Sequence, residues 1–216
     1  MPGHQAGLKL FGNCMARTKT RFSLSIIESL RFRDEKLSWF EGRILSDILR
    51  LSRREIDVDY IYIRTRKELT AALKRFSKSR NRYLHISSHG NEGEIGLTLD
   101  TVPFEELGDE LAPHMDEKRL FFSACQVVNE DLADVVMNQT GCRSVIGPRT
   151  EICFSDAALM WATFYHLMFR DPEAKAMKGG KIRWALRRVL AFAEEFDYFT
   201  RAGTAKGYKK VDVADR

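Results

Sequence analysis

The sequence predicts a three-layer α/β/α sandwich on a mostly parallel sheet. Three observations carry this. Compact apolar runs of strand length recur along the chain, helix-length segments with apolar residues at i, i+3, i+4 spacing separate them, and several runs end abruptly in polar or glycine-containing loops. Strands joined through helices pair in parallel by right-handed crossovers, which places helices over both faces of the sheet.

The elements follow in order. In "RFSLSII", Phe22, Leu24 and Ile26 alternate as in a strand. "WFEGRILSDILRL" carries Phe40, Ile44, Ile48 and Leu51 at helical spacing, which predicts a helix with that stripe facing the core. "EIDVDYIYIRT" alternates and then turns apolar on both faces, as a buried strand does. "RKELTAALKRF" places Leu69, Ala72, Leu73 and Phe76 on one helical face and leads into the strand "RYLHISS". "EIGLTLD" and "VPFEELGDEL" predict a short hairpin strand and a small helix, and "RLFFSAC" a second compact strand. "NEDLADVVMNQTG" has acidic residues in its first turn and Gly141 past its end, the polarity expected of a helix, and "CRSVIG" supplies another strand. Two amphipathic helices follow, one on Ala157, Met160, Trp161, Phe164 and Met168, the other on Ile182, Ala185, Leu186, Val189 and Phe192.

At 216 residues, 44% hydrophobic and 30% charged, the chain fits one globular domain: a leader over 1–20, a domain over 21–199 and a loose basic tail over 200–216. No apolar run approaches the roughly 20 residues that span a bilayer, and the N-terminus has no secretory h-region, so an intracellular, cytoplasmic protein with reduced thiols is expected. The net charge of +5 is spread over both ends, as on solvated termini, and nucleic-acid binding is not favoured. Cys14, Cys125, Cys142 and Cys153 have no CxxC spacing, which excludes a zinc knuckle. His85 and His89 have the i, i+4 spacing of a helical metal pair, but on a strand that separates them by about 13 Å, and no metal is expected. Gly90, Gly93 and Gly96 do not form a phosphate loop. No cofactor is expected.

Reactive residues of parallel sheets gather at the carboxyl ends of the strands. "RYLHISSHG" delivers His89 there, and "RLFFSAC" delivers Cys125 just before a helix. A thiol becomes strongly nucleophilic as its thiolate, favoured by a helix N-terminus or by an imidazole that takes its proton. The pair suits acyl transfer, with the N–H groups of Gly90 and Cys125 as oxyanion donors and the missing side chain of Gly90 permitting close approach. A cysteine ending an apolar strand is also an ordinary small core residue. His85, inside the strand, is expected to be packed or hydrogen-bonded, and His4, His114 and His166 stand in no motif.

"LHISSHG" followed by "LFFSACQ" resembles the His-Gly and Ala-Cys motifs of caspase-like cysteine peptidases, specifically the CHAT-domain group of the clan that includes caspases, separases and gingipains. "SVIGPRTEICFSDAALMWATFYHLMF" and "KIRWALRRVLAF" are similar to the family's next strand, loop and helices, so the resemblance covers about Arg21 to Phe196. It implies a caspase-like fold and a cysteine endopeptidase with His89 as catalytic histidine and Cys125 as nucleophile. It also implies Asp156, or alternatively Glu151, as the acidic residue of a pocket for a basic P1 side chain. "CQVVN" departs from the frequent Cys-Glu-Thr-Gly pattern at the nucleophile. A protein substrate, an activating protein partner and a place in bacterial defence or death signalling go with that resemblance. A catalytically silent interaction module on the same fold is the alternative.

Overall fold

The computed structural model describes residues 22–51, 56–170, 177–192 and 195–213; the expectations for His4, Cys14 and the 1–20 leader lie outside them. Seven strands form the main sheet: β1 (Phe22–Glu28), β2 (Ile56–Tyr62), β3 (Tyr83–Ser87), β7 (Arg119–Ser123), β8 (Ser144–Pro148), β9 (Phe196–Arg201) and β10 (Tyr208–Lys210). Their spatial order is β10-β9-β8-β7-β3-β1-β2, parallel from β2 through β8 and antiparallel at β9 and β10. A three-stranded sheet of β4 (His89–Gly90), β5 (Glu94–Gly96) and β6 (Thr101–Pro103) rises from the end of β3.

Side-chain alternation divides the core in two. Leu84 and Ile86 of β3 and Leu120 and Phe122 of β7 pack against α3 (Arg66–Lys78), α4 (Phe104–Leu111) and α5 (Glu130–Gln139). Tyr83 and Phe121 face the other way, toward α2 (Glu41–Arg50), α6 (Phe154–Phe169) and α7 (Gly179–Val189). This is the expected three-layer α/β/α sandwich. Local signals fix the helix starts: Thr65 and Glu68 form a capping box on α3, and the Asn129 side chain accepts the Leu132 N–H at the start of α5. Each fully buried aromatic of the α6 side, such as Phe121, Trp161 and Phe164, contributes about 2 kcal/mol of burial. Among the described residues no helix is long and apolar enough to cross a membrane.

Two expectations are corrected. The α2 stripe of Ile44, Ile48 and Leu51 faces outward, 46%, 41% and 83% exposed, while Leu45 and Leu49 are buried. Glu28 at the end of β1 sets this rotation: its carboxylate accepts the N–H groups of Gly42 (2.6 Å) and Arg43 (3.2 Å). A Cβ on Gly42 would lie 3.1 Å from Ile26 Cγ2 and 3.2 Å from the Glu28 carboxyl carbon, so glycine lets the helix seat closely without shifting either side chain. The tail after residue 200 is also not loose throughout, because β9 runs to Arg201 and β10 pairs with it through Lys210. Its pairing with β8, a distant part of the chain, supplies order that local composition does not announce.

Candidate active site

Strand register brings the histidine and the thiol to one place. Ser87 of β3 and Ser123 of β7 are paired residues, so His89 and Cys125 each stand two residues past equivalent positions on adjoining parallel strands. The Ser88 N–H donates to the Ser123 carbonyl at 3.1 Å and continues that pairing beyond the sheet. Gly90 lies between the two segments: a Cβ there would come within 2.2 Å of Val127 Cγ2 and 3.4 Å of the Cys125 carbonyl oxygen. Gln126, next to the thiol, has φ of 60°, a left-handed conformation rarely taken by residues other than glycine and often found where a site needs a sharp turn.

Each of the two side chains has a partner. The His89 Nε2–H donates to Asp34 Oδ2 at 2.7 Å, and Asp34 is only 6% exposed. With a carboxylate as acceptor, Nε2 carries the proton and Nδ1 the lone pair. The His89 ring also meets Phe154 edge-on, with centroids 5.6 Å apart. The Cys125 thiol lies against the Ile152 peptide, accepting its N–H at 3.4 Å and donating to its carbonyl at 3.5 Å. The expected helix N-terminus is not at the thiol, since α5 begins five residues later and Asn129 caps its first turn.

Asp34 belongs to α1 (Phe32–Lys36), which follows β1, so a third strand end contributes to the site. Its role was missed from the sequence. So was that of Glu41, also after β1, which lines a cavity of about 430 Å³ with Trp39, Ile44, Cys153, Phe154 and Ala158. Phe154 packs on Trp39 at 5.6 Å as well as on His89, so this cavity adjoins the imidazole. Neither Asp156 nor Glu151 lines it: Asp156 accepts from the Cys153 thiol at 2.9 Å in the first turn of α6, and Glu151 is exposed. The signal available was positional, because Asp34 and Glu41 follow a parallel strand as His89 and Cys125 do.

Beneath the cavity lies a cluster of buried polar groups. Glu41 is 1% exposed; its Oε2 accepts from the Ser87 hydroxyl at 2.5 Å, while Oε1 has no partner among the described residues. Burial, reinforced by the Glu28 carboxylate and opposed by hydrogen bonds from Ser87 and Ser123, pushes Glu41 up to about 8. Burial also raises Glu28, although Tyr60 and the N–H groups of Gly42 and Arg43 bond to it. His85 is fully buried: its Nδ1 lies 3.1 Å from the Tyr165 hydroxyl, its Nε2 is without a hydrogen-bond partner among the described residues, and desolvation pushes it down to about 3. As expected of a residue inside the strand, His85 is packed and hydrogen-bonded.

No family model matches the chain and no curated protein matches it. Solved structures do. The chain is similar to a secreted C11 cysteine protease from Bacteroides thetaiotaomicron in complex with an irreversible peptide inhibitor, at 11% identity over 83% of this chain and a TM-score of 0.53. It is also similar to the complex of the Porphyromonas gingivalis RgpB pro- and mature domains, at 14% identity over 79% of this chain and a TM-score of 0.52. The chain spans 66% and 43% of those two chains. At such identities the likeness shows a shared fold.

Proposed function

We propose that this chain is a cysteine endopeptidase in which Cys125 is the nucleophile and His89 its base and acid. The observation that supports it best is the register: two adjoining parallel strands deliver thiol and imidazole to one carboxyl edge, and a buried carboxylate holds the imidazole. His89 Nδ1 takes the Cys125 proton, the thiolate attacks the scissile carbonyl, and His89⁺ protonates the departing amine. Water then hydrolyses the thioester and regenerates the thiol. Asp34 is a positioning residue that stabilises the imidazolium. Asn91 N–H bonds back to the Glu94 carbonyl, so by antiparallel alternation the Gly90 N–H points away from β5, where it can serve as an oxyanion donor with Cys125 N–H.

The cavity beside His89 is the pocket for P1; Cys153 and Ser155 on its wall adjoin Asp156, the acid proposed for a basic P1 side chain, with Glu151 the alternative. Apolar walls fit the methylene stem of arginine or lysine. The motif resemblance narrows the reading to the CHAT-type group, a cytoplasmic enzyme with a protein substrate, activation by a protein partner and a role in bacterial defence or death signalling. A peptide-library cleavage screen comparing wild type with Cys125→Ala tests it: the expected result is cleavage after Arg or Lys by wild type alone. Equal cleavage by the variant would sink the assignment. The engagement of the thiol by Ile152 favours a second reading, a silent module binding partners through the same groove, and this predicts partner binding with no cleavage.

A further inference from the structure

Asn129 caps α5, and capping uses only its side-chain oxygen, which accepts the Leu132 N–H at 3.0 Å. Serine, threonine or aspartate would serve there as well. The amide nitrogen makes contacts that capping does not require. Nδ2 donates to the Glu92 carbonyl at 3.0 Å, in the hairpin turn that follows Gly90, and to the Gln126 carbonyl at 3.2 Å, one residue past the thiol. Both N–H groups of the amide are thereby committed. These partners allow one orientation of the group, since only its oxygen can accept from a backbone N–H and only its nitrogen can donate to two carbonyls. Among the residues that cap helices, asparagine alone brings two donors.

The two carbonyls belong to the two segments that carry the backbone donors assigned to the oxyanion. Asn91 shapes the first: its Oδ1 accepts the Gly93 N–H at 2.8 Å and the Glu94 N–H at 3.1 Å, which fixes the turn around Glu92. The second contains Gln126, whose φ of 60° persists only where its surroundings hold it. Its N–H donates to the Thr150 carbonyl at 3.3 Å and its carbonyl accepts from Asn129, one clamp on each side of the residue. We propose that Asn129 is a positioning residue for the oxyanion site: it holds the Gly90 hairpin and the Cys125–Gln126 turn as one unit, so that both N–H groups converge on the scissile carbonyl oxygen as it becomes negative. This rests on the peptidase reading and deepens it. Two preorganised donors stabilise a developing charge only when they meet at one point, and a displacement of about 1 Å costs on the order of 10²-fold in rate.

The test compares Asn129→Ser, which keeps a capping hydroxyl and removes the paired donors, with Asn129→Ala, which removes the cap as well, both in the full-length protein. Each should lower kcat for an arginyl peptide on the order of 10²-fold with KM changed less than about twofold, while only the alanine variant loses Tm. A second measurement reads the oxyanion site itself. The proteins are titrated with a tetrapeptide ending in argininal, to whose carbonyl carbon the thiol adds while its proton passes to the oxygen, and with the matching argininol, which forms no adduct. In both variants Ki for the aldehyde should rise by about the factor lost in kcat, and Ki for the alcohol should stay where it is. An unchanged kcat, a kcat loss that follows Tm from serine to alanine, or equal weakening of aldehyde and alcohol overturns the positioning role and leaves the peptidase standing. Wild type that neither cleaves the arginyl peptide nor binds the aldehyde more tightly than the alcohol overturns the peptidase reading and this proposal with it.

Discussion

His85 and His89 stand four residues apart in one segment, yet they do opposite things. His85 is in the middle of β3, fully buried, with a hydroxyl on one nitrogen, no hydrogen-bond partner among the described residues on the other, and Trp161 and Tyr165 around its ring. His89, just past the strand end, is partly open to solvent and bonded to a carboxylate. The same side chain is held neutral where the strand is covered and is partly exposed, against a carboxylate, where the chain leaves the sheet. In a parallel sheet, distance from the carboxyl edge decides whether a polar residue is part of the core or part of the site.

Substitutions should separate the two regions. The largest effect belongs to the edge: His89→Ala should lower kcat/KM by at least about 10³-fold, and Cys125→Ala should abolish turnover, both with little change in Tm. Steady-state kinetics beside thermal melts checks this, and a parallel loss of stability would erase the contrast. Asp34→Asn should follow with a loss on the order of 10²-fold in kcat and a displaced pH–rate profile, because the neutral amide no longer stabilises the imidazolium. A loss confined to Tm would reduce Asp34 to a structural role.

In the covered region the effects are on stability. His85→Ala should cost about 2–4 kcal/mol by denaturant titration, as a cavity forms between Trp161 and Tyr165. The smallest effects come from titration. His85 is pushed from 6.5 down to about 3 on folding, so the unfolded chain takes up a proton that the folded one refuses, and stability is lost as pH falls from 6.5 toward 3. Glu41 has the opposite sign: raised from 4.5 to about 8, its contribution is complete below 4.5 and lost as pH rises to 8. Glu41→Gln should flatten the alkaline limb of a stability–pH curve and leave the acid limb unchanged.

The covered region was legible in the sequence because burial writes periodicity: the stripes of α3, α6 and α7 and the apolar runs of β3 and β7 are where they were expected, and the end signals of α5 mark its place. α2 was placed correctly but turned the wrong way, since Glu28, a residue on another element, decides its rotation. At the edge, His89 and Cys125 were visible because each follows a strongly apolar strand. Asp34 and Glu41 were not. One sits in a five-residue helix and the other at a helix start where an acid has an ordinary electrostatic role, and their meaning depends on β1 lying beside β3. The likeness to the C11 protease supports the fold that makes those neighbours, not the chemistry.

The direct test of that chemistry is alkylation of the intact protein by a peptidyl-arginyl electrophile, with each modified cysteine located by mass spectrometry. Cys125 is only partly accessible and Cys153 is exposed, so simple exposure favours Cys153. The dyad predicts that Cys125 is modified first in wild type and that its labelling collapses in His89→Ala. Preferential labelling of Cys153, or equal labelling of Cys125 with and without the imidazole, would contradict it.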